Sequence, residues 1–271
     1  MRADRAPGGV ICVLGDAHLD VVVCAREPLA RETDTRARTS VGAGGQAANV
    51  AAWVVALGGR ARLVAARATD PASALVAAEL ARRGVDLVGP VIEGRTGVVV
   101  SLSDGGGSRS MLTDRGVGPQ LAASELRRHW FDGCARLHLP AYSLVSAPIR
   151  DAALAAAAQA PRVSVDLSST AALRAYGVDR FRALLARVAP DVVFGDEAEA
   201  ELAGDLPGTE LVVTRGPRGV RVGGTLYPAL PTRPVDSTGA GDAFAAGYLL
   251  GGVDLGLRAA ARAVAGMGAM P

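Results

Sequence analysis

The sequence predicts an α/β fold with a doubly wound, mostly parallel sheet, and three observations support this prediction. Short apolar runs alternate with alanine-rich helical stretches from Ser124 onward, as expected of repeated β–α units. Glycines and carboxylates follow several of these runs, at the edge where such sheets bind ligands. The 271 residues, of which 49% are hydrophobic, are enough to bury a large core as one domain spanning 1–271.

Composition excludes several classes of function. All 29 basic residues are arginine, and the missing lysine rules out the P-loop G-x-x-x-x-G-K-[ST], the protein-kinase lysine and Schiff-base chemistry. The net charge of +2 is spread over interspersed acids and bases, so we expect no nucleic-acid and no membrane partner. The three cysteines lack metal or redox spacing, and no signal peptide or membrane span is evident. We therefore expect a cytoplasmic enzyme.

The first predicted strand, Val10–Leu14, is followed by two carboxylates within Gly15–Asp20. At the ligand-binding edge of a sheet, an ionised Asp20 could accept hydrogen bonds from sugar hydroxyls. A simple turn aspartate is the alternative. His18 is expected to line or rim the same cleft rather than to do chemistry.

Four further strands predict a small β-sheet excursion that covers the strand ends as a lid, formed by about 19–41 and 95–114. They are Leu19–Cys24, Thr35–Val41, Gly97–Ser103 and Arg109–Thr113. The last two flank Asp104–Gly107, which reads as a hairpin turn. Because unpaired strand edges seek partners, the lid could also pair into a homodimer.

The stretch Gly42–Asn49 contains G-x-G-x-x-A, which superficially suggests dinucleotide binding. No acidic residue occurs between Asn49 and Thr69, although that motif needs one about 20 positions on. We favour close approach of the Gly44 and Gly45 backbone to a neutral polyol, with Asn49 donating and accepting hydrogen bonds. A capping or solvent-facing Asn49 is the alternative.

The remaining elements follow the β–α pattern. Arg62–Ala66 is a core strand, and Asp70–Pro71 caps a helix that runs to Arg83 before Gly84. The later strands are predicted at Leu137–Leu139, Val163–Asp166, Val192–Phe194 and Leu211–Thr214.

Two segments after the last strands carry candidate nucleotide or metal contacts. Asp196 and Glu199 follow a strand and could hold Mg²⁺ through its waters, although acids at a helix start are the alternative. Thr214–Gly219 supplies a hydroxyl, flexible backbone and two guanidinium groups that could clamp phosphate oxygens. A plain hairpin turn is the alternative there.

The stretch that says most about function is Asp236–Phe244, where a glycine-containing loop leads into an apolar helix. The first N–H groups of a helix lack partners, and the helix dipole adds positive potential, so this loop is suited to bind an anion. A carboxylate beside an anion site would repel the anion unless it faces the other reactant and accepts a proton from it. Asp242 is therefore a candidate general base for phosphoryl transfer to a hydroxyl. The alternative is a carboxylate that only complements the helix dipole.

Two of the stretches described above, Gly42–Asn49 and Asp236–Phe244, together resemble the ribokinase (PfkB-type) carbohydrate kinases. Asp236-x-Thr238-Gly239-Ala240-Gly241-Asp242-Ala243-Phe244 is similar to the C-terminal signature of that family, and Gly44-Gly45-x-Ala47-Ala48-Asn49 to its N-terminal one. The resemblance extends over essentially the whole chain. It implies a ribokinase-like three-layer α/β sandwich with a small β-sheet lid, and transfer of the γ-phosphoryl group of ATP to a hydroxyl of a sugar or sugar-like molecule.

The resemblance also implies roles for individual residues. Asp242 is the implied catalytic base, beside an anion hole formed by Gly239, Ala240 and Gly241. The implied substrate contacts are Asp20, Gly44, Gly45 and Asn49, with His18 nearby. The implied nucleotide contacts are Thr214, Gly216, Asp196 and Glu199. Glu199 further resembles the acid of a magnesium motif, and Asp236 an aspartate near a monovalent-cation site that would take K⁺.

Three departures from the family pattern bear on specificity. Gln46 stands where ribokinases proper have a lysine, which argues against ribose itself, and Asp196 replaces the asparagine of the N-x-x-E magnesium motif. Leu257 lies about where ribokinase proper has an adenine-side asparagine. The stretch Gly44-Gly45-Gln46-Ala47-Ala48-Asn49, with Glu32-Thr33-Asp34-Thr35 before it, resembles bacterial members of the family that act on nucleosides such as pseudouridine, so a nucleoside kinase is the first alternative. The rivals from other classes are a non-catalytic sugar- or nucleoside-binding protein and an NAD(P) oxidoreductase.

Overall fold

The computed structural model describes residues 9–103 and 109–271. In chain order, the strands of these residues are β1 (Val10–Leu14), β2 (His18–Ala25), β3 (Ala37–Gly44), β4 (Ala61–Val64), β5 (Arg67–Ala68), β6 (Asp86–Val88), β7 (Val91–Ile92), β8 (Thr96–Ser103), β9 (Arg109–Gly116), β10 (Cys134–Pro140), β11 (Val163–Asp166), β12 (Val192–Asp196), β13 (Glu210–Thr214), β14 (Val220–Val222) and β15 (Thr225–Tyr227).

The main sheet has nine strands in the order β15-β14-β13-β12-β11-β10-β1-β4-β6. Pairing is parallel from β6 through β13, and β14 and β15 extend the sheet as an antiparallel edge. Because the order reverses between β1 and β10, the loops after these strands diverge and leave a crevice at their carboxyl ends. The candidate site lies at this edge.

Helices cover both faces of the main sheet. They are α1 (Gln46–Ala56), α2 (Pro71–Arg82), α3 (Tyr142–Val145), α4 (Ile149–Ala157), α5 (Thr170–Tyr176), α6 (Val178–Val188), α7 (Glu197–Ala203) and α8 (Ala240–Val264). The helices α1, α2 and α8 pack on one face, around the fully buried Trp53. The helices α3 to α7 pack on the other face, around Leu144 and Phe181. The central strands are therefore buried on both sides and consist of near-continuous apolar runs.

A small sheet with the order β3-β2-β8-β9 stands beside the carboxyl edge of the main sheet. The strands β2 and β8 run parallel, and β3 and β9 pair antiparallel to them on the outside. Val41 and Leu112 are exposed on these outer strands, at 55% and 56% of their surface. The predicted lid corresponds to this sheet, and its role as a cover stays a prediction.

The predicted fold class is confirmed, and Val163–Asp166 is a strand with the predicted bounds. The small-sheet bounds are less accurate: β3 begins at Ala37 and continues to Gly44, and β9 extends three residues past Thr113. The predicted strand Arg62–Ala66 instead ends at Val64, because the next residues turn toward the short β5–β7 pair. The predicted hairpin turn Asp104–Gly107 lies outside the described residues.

Candidate active site

Polar side chains meet where the parallel strands of the main sheet end. Asp16 follows β1, Asp166 is the last residue of β11, and Asp196 is the last residue of β12. Thr214 ends β13, the next strand along the same edge. Parallel strands end at one side of the sheet, so residues far apart in sequence are brought together there.

Two adjoining cavities occupy this edge. The first, which we call the small-sheet cavity, measures about 380 Å³ and lies between the small sheet and the loops of the main sheet. Its polar lining comprises Asp16, His18, Asp20, Gln46, Asn49, Thr113, Arg115, Tyr142, Ser143, Ser168, Ser237, Thr238 and Asp242. The backbone of Gly45 and Gly239 completes the wall.

The second, which we call the main-sheet cavity, measures about 170 Å³ and lies over β11 to β13. Its lining residues are Gln46, Asp166, Ser168, Phe194, Gly195, Asp196, Glu199, Thr214, Gly241, Asp242 and Phe244. Four of these residues carry carboxyl groups and none is basic. An anionic ligand bound there therefore needs cations to offset the negative charge of the lining.

Three side chains, Gln46, Ser168 and Asp242, line both cavities and form their shared wall. Gln46 Nε2 donates to Asp166 Oδ1 at 2.7 Å, and Ser168 Oγ donates to Gln46 Oε1 at 2.7 Å. These bonds fix the amide of Gln46 in one orientation. A group bound in one cavity is therefore separated from a group in the other only by this polar wall.

Asp242 lies in the first turn of α8 and is buried, with 8% of its surface exposed. Its Oδ2 accepts a 2.8 Å hydrogen bond from Asn49 Nδ2. Burial, and then the nearby Asp166 carboxylate, raise the pKa of Asp242 to about 8, although the bond from Asn49 opposes them. A carboxylate with such a pKa is an effective proton acceptor near neutral pH.

Asn49 and Asp20 face the small-sheet cavity with unused acceptors. The Oδ1 atoms of both residues are buried and have no hydrogen-bond partner in the described structure. Burial raises the pKa of Asp20 to about 6. Gly44 is required beside it, since a Cβ at that position would lie 1.9 Å from the Asp20 carboxyl carbon. Gly45 has a φ of 93°, which places its backbone against the cavity where α1 begins.

His18 is buried in the same cavity, as predicted, and its Nε2 lies 3.3 Å from Asp16 Oδ2. Arg115 Nε donates to that same carboxylate oxygen at 2.6 Å. Burial raises the pKa of Asp16, but His18 and Arg115 outweigh burial and hold the pKa below its usual range. Asp16 is therefore an anion that organises the base of the small sheet.

Asp196 and Glu199 form a reciprocal capping box at the start of α7. Asp196 Oδ1 accepts from the Glu199 N–H at 2.8 Å, and Glu199 Oε2 accepts from the Asp196 N–H at 2.9 Å. The helix-start interpretation is thus correct, yet both side chains also line the main-sheet cavity. Burial, despite the hydrogen bond from Asp196, raises the pKa of Glu199 to about 7.

Thr214 lines the main-sheet cavity, and its Oγ1 donates to Gly195 O at 3.3 Å. Gly216 lies just beyond it in a short 3₁₀ turn and has a φ of 55°. The guanidinium groups of Arg215 and Arg218 do not line the main-sheet cavity, and their role as a phosphate clamp stays a prediction. Both donate instead to the Glu197 carboxylate, whose single negative charge offsets one of the two positive charges.

The loop before α8 has the predicted shape with one difference. Gly239 adopts a φ of 72°, and a Cβ there would lie 2.6 Å from the backbone of Ala269. A Cβ at Gly241 would meet open space, consistent with a ligand volume. The Ala240 N–H, however, donates to Ser237 O at a long 3.3 Å and is partly satisfied by its own loop.

Asp236 is held inside this loop. Its Oδ1 accepts from the N–H of Thr238 at 2.9 Å and from the hydroxyl of the same residue at 2.5 Å, and its Oδ2 accepts from the Gly268 N–H at 3.0 Å. It does not line either cavity. The observed role of Asp236 is to fix the loop that carries Gly239.

The carboxylates of the main-sheet cavity fit Mg²⁺ in one particular way. Among the described residues, no group of three or more His, Cys, Asp or Glu side chains is arranged to hold a metal ion directly. The oxygen donors of Glu199 and Asp196 suit a hard cation that keeps most of its waters and takes other ligands from phosphate. The residues present therefore fit a hydrated magnesium ion.

Sequence reasoning missed several side chains at the site, among them Asp166, Ser168, Arg115 and Tyr142. Asp166 ends a strand at the carboxyl edge, which is the signal that already identified Asp16 and Asp20. Arg115 was missed because the predicted β9 stopped at Thr113. Gln46 was noticed only as a departure, whereas it forms the centre of the shared wall.

The arrangement places one proton-accepting carboxylate between a cavity rich in hydroxyl-binding groups and a cavity suited to a cation-bound anion. Such geometry supports transfer of an anionic group from one cavity to a hydroxyl in the other.

None of the described helices is long and apolar enough to cross a membrane.

Comparison with known proteins gives a consistent result. The family model described as pfkB family carbohydrate kinase matches residues 10–270. A curated relative, the ATP-dependent ribose-1-phosphate kinase of Halopiger xanaduensis, is 31% identical over 223 residues, which are 76% of this chain and 72% of that protein.

Solved structures share the fold at low sequence identity. A probable sugar kinase from Rhizobium etli has a TM-score of 0.85 at 22% identity, covering 97% of this chain and 95% of that one. The adenosine kinase of Sinorhizobium meliloti has a TM-score of 0.84 at 22% identity, with 98% and 96% covered. A putative ribokinase II from E. coli, in complex with ATP and magnesium, has a TM-score of 0.82 at 21% identity, with 97% and 94% covered.

Proposed function

Because this chain belongs to the pfkB family of carbohydrate kinases, and is thus a phosphotransferase with an alcohol acceptor, we propose that Asp242 is its catalytic base. The acceptor is a small polyhydroxylated molecule in the small-sheet cavity, and the donor is ATP with its γ-phosphate in the main-sheet cavity. Family membership also removes the NAD(P) oxidoreductase hypothesis.

The observation that carries this proposal is the position of Asp242 in the wall between the two cavities. Its carboxylate is oriented by Asn49, and its pKa of about 8 favours proton uptake. A carboxylate that only complemented a helix dipole would gain from exposure to solvent. Burial at a shared wall costs stability and is expected where the group has a chemical task.

The reaction step follows from this placement. The acceptor hydroxyl gives its proton to Asp242 while its oxygen forms a bond to the γ-phosphorus. The bond between that phosphorus and the bridging oxygen of ADP breaks, and the electron pair leaves with ADP. Gly239, Ala240 and Gly241 provide the backbone N–H groups beside the transferring group, which we propose as the anion hole.

Acceptor binding is assigned to Asp20, Asn49, Gly44, Gly45 and His18. The unpartnered Oδ1 atoms of Asp20 and Asn49 are suited to accept hydrogen bonds from hydroxyl groups. The two glycines let a sugar approach the backbone, and His18 contributes through its contact with Asp16. The small sheet above these residues excludes water from the reaction.

Nucleotide binding is assigned to Thr214, Gly216, Asp196 and Glu199. Glu199 and Asp196 would hold the waters of Mg²⁺, which neutralises phosphate charge and orients the donor when it is bound. Asp236 is the proposed support for a K⁺ site, because its loop carries the anion hole. We also propose a cytoplasmic location, where ATP is available, and pairing of the exposed small-sheet edges in a homodimer.

The proposed base is tested by Asp242→Asn. The substitution removes proton acceptance but keeps the size of the side chain and a partner for Asn49. Turnover should fall about 10²- to 10⁴-fold, whereas ATP and acceptor affinities should change little. The measurement is ATP consumption over a panel of sugars and nucleosides, with binding followed by calorimetry.

Asp179→Asn is the matched control, because it removes one carboxylate that is 98% exposed in its side chain and lies outside both cavities. Near-normal turnover of Asp242→Asn would refute the assignment of the base. Absence of ATP consumption by the unmodified protein with every acceptor would favour the non-catalytic binding protein. Transfer to nucleosides alone would establish the nucleoside-kinase alternative.

A further inference from the structure

A third cavity, which we call the arginine cavity, adjoins the small-sheet cavity. It measures about 420 Å³ and is lined by Arg115, Tyr142, Ser146, Tyr176 and Arg180 together with small apolar residues. Arg115 and Tyr142 line both cavities, so they form the boundary between them. A ligand in the small-sheet cavity that extends past this pair enters the arginine cavity.

The two neighbouring cavities have opposite charge. The small-sheet cavity contains the carboxyl groups of Asp16, Asp20 and Asp242, and its one guanidinium group is that of Arg115 on the boundary. The lining of the arginine cavity contains two guanidinium groups and no carboxyl group. An anionic group would be repelled in the first cavity and attracted in the second.

Arg115 has an unused donor at this boundary. Its Nε donates to Asp16 at 2.6 Å and its Nη1 donates to Ser146 Oγ at 2.5 Å, which fix the plane of the guanidinium group. Its Nη2 is buried and has no hydrogen-bond partner among the described residues. Ser146 Oγ accepts from Arg115, so its own proton is available to a ligand. An unpaired buried guanidinium nitrogen is costly unless a ligand or water completes it.

Arg180 provides the second cation. Its guanidinium group stacks on the Tyr176 ring at 4.7 Å from the ring centre, which holds the exposed side chain over the cavity. The adjacent carboxylate, Asp179, contacts Arg182 instead, at 3.6 Å. No ion pair of Arg180 is found in the described part of the chain, so its charge is available.

We propose that the arginine cavity binds a phosphate group of the acceptor, which is therefore a phosphorylated sugar rather than a neutral one. This inference rests on the proposed function, because it places the reacting hydroxyl of the same molecule at Asp242. Arg115 Nη2, Ser146 Oγ and Arg180 supply the donors, and arginine is well suited to phosphate oxygens.

A neutral nucleobase explains the cavity less well. It would stack on the tyrosine rings, but it would bring no negative charge for two guanidinium groups. A phosphate dianion would pair with both guanidinium groups and would accept a hydrogen bond from Arg115 Nη2. The alternative source of the same chemistry is a nucleoside monophosphate, and the experiment distinguishes the two.

The test compares binding and turnover for matched pairs: ribose with ribose 1-phosphate and ribose 5-phosphate, and uridine with uridine 5′-monophosphate. Binding is measured by calorimetry without ATP, so that it does not depend on catalysis. The unmodified enzyme should bind at least one sugar phosphate about tenfold or more tightly than ribose. Inorganic phosphate should compete with it.

Two substitutions separate this site from a general charge effect. Arg180→Gln should weaken sugar-phosphate binding about three- to tenfold and leave ribose binding unchanged, because its charge is partly exposed. Arg115→Lys should weaken it more, since lysine cannot reproduce the fixed fork. Arg174→Gln is the control, because Arg174 is an exposed arginine of α5 outside the cavity lining.

Each result has one meaning. Equal affinity for ribose and its phosphates, or equal loss for both on Arg180→Gln, overturns the phosphate site. A preference confined to uridine 5′-monophosphate keeps the phosphate site and replaces the sugar phosphate by a nucleotide. Transfer to neutral sugars alone overturns this inference but not the proposed function. Tight sugar-phosphate binding without transfer to any acceptor overturns the proposed function but not the phosphate site.

Discussion

Asp242 shares its surroundings with three other carboxyl groups, and this crowding sets its protonation. Burial raises the pKa of Asp166 to about 6, so Asp166 is ionised at neutral pH. Its negative charge, after burial, is the next cause of the raised pKa of Asp242. The pKa of the proposed general base is thus raised by a neighbour that also holds Gln46 in place.

Asp166→Asn should therefore move the acidic limb of the kcat/KM profile. In the unmodified enzyme, kcat/KM should fall as the pH drops below about 8, because Asp242 becomes protonated. Without the charge at position 166, the pKa of Asp242 falls, so the limb should move about one unit to lower pH. The measurement is kcat/KM from pH 5 to 9, in which the position of the limb matters and not the height of the plateau.

Asp151→Asn, which removes an exposed carboxylate of α4, should leave the profile unchanged. A limb at the same pH in Asp166→Asn would show that this carboxylate does not act on the base.

At this scale, the sequence was informative wherever a residue belonged to a local motif. Asp242 and Asn49 are recognisable because glycines and a helix start surround each of them, and the structure joins the two by a hydrogen bond. Arg115 carries no such signal. Its role depends on a strand register and on Asp16, which lies 99 positions away.

Among the elements, α2 contributes a tie between the small sheet and the main sheet at its N-terminus. Asp70 Oδ1 caps the helix by accepting from the Ser73 N–H at 3.0 Å. The same carboxylate accepts from the Thr96 N–H at 2.8 Å and the Thr96 hydroxyl at 2.5 Å, where β8 begins. One side chain therefore stabilises a helix end and the entry to the small sheet.

Asp70→Ala should destabilise the protein by about 1–3 kcal/mol, combining the lost cap with the lost bonds to Thr96. Burial raises the pKa of Asp70, but the bonds from Thr96 and Ser73 outweigh it and lower the pKa overall. The stabilisation is therefore present above the ordinary carboxyl pKa of about 4 and is lost as the pH falls through the folded-state value. Denaturant unfolding at pH 7 and at pH 3 measures both effects.

Ser169→Ala is the matched control, because the Ser169 side chain caps α5 through a long 3.4 Å bond and otherwise hydrogen-bonds only the side chain of Tyr142 among the described residues. At pH 7, Ser169→Ala should lower the free energy of unfolding by less than Asp70→Ala does. Equal losses for the two variants would contradict the double role of Asp70.

The cap at Asp70 was readable from Asp-Pro at the helix start, whereas the bonds to Thr96 were not. Helix ends follow from local chemistry, but the bounds of β3 and β9 depend on partner strands. That dependence explains why β9 was predicted three residues too short.

At the scale of the whole molecule, α2 anchors the small sheet to the main sheet at a second place. Glu79 Oε2 accepts from the Ala43 N–H at 2.7 Å, and Arg83 Nη2 contacts Glu79 Oε1 at 2.8 Å. Ala43 directly precedes Gly44, which packs under the Asp20 carboxylate. The position of the proposed acceptor-binding groups thus depends on this anchor.

Glu79→Ala should raise KM for the acceptor about three- to tenfold by leaving the Ala43 N–H without its charged partner. KM for ATP should change little, because the main-sheet cavity does not touch this anchor. Steady-state kinetics with each substrate varied in turn provide the measurement. Arg82→Ala, an exposed change on the same helix, should affect neither constant. A rise in both constants would contradict an effect confined to the small sheet.

The general architecture was predictable because alternating apolar runs and helices allow few topologies. The sharing of one wall by two cavities was not, since it depends on the packing of α1 and α8 against the ends of β11 and β12.

The hydrogen bond between Asn49 and Asp242 joins residues 193 positions apart, and Trp53 Nε1 reaches Ala269 O over 216 positions. During synthesis on the ribosome, acceptor-binding groups emerge long before the base does. A partly translated chain that lacks α8 therefore lacks the proposed base, and phosphoryl transfer becomes possible only once α8 has left the exit tunnel.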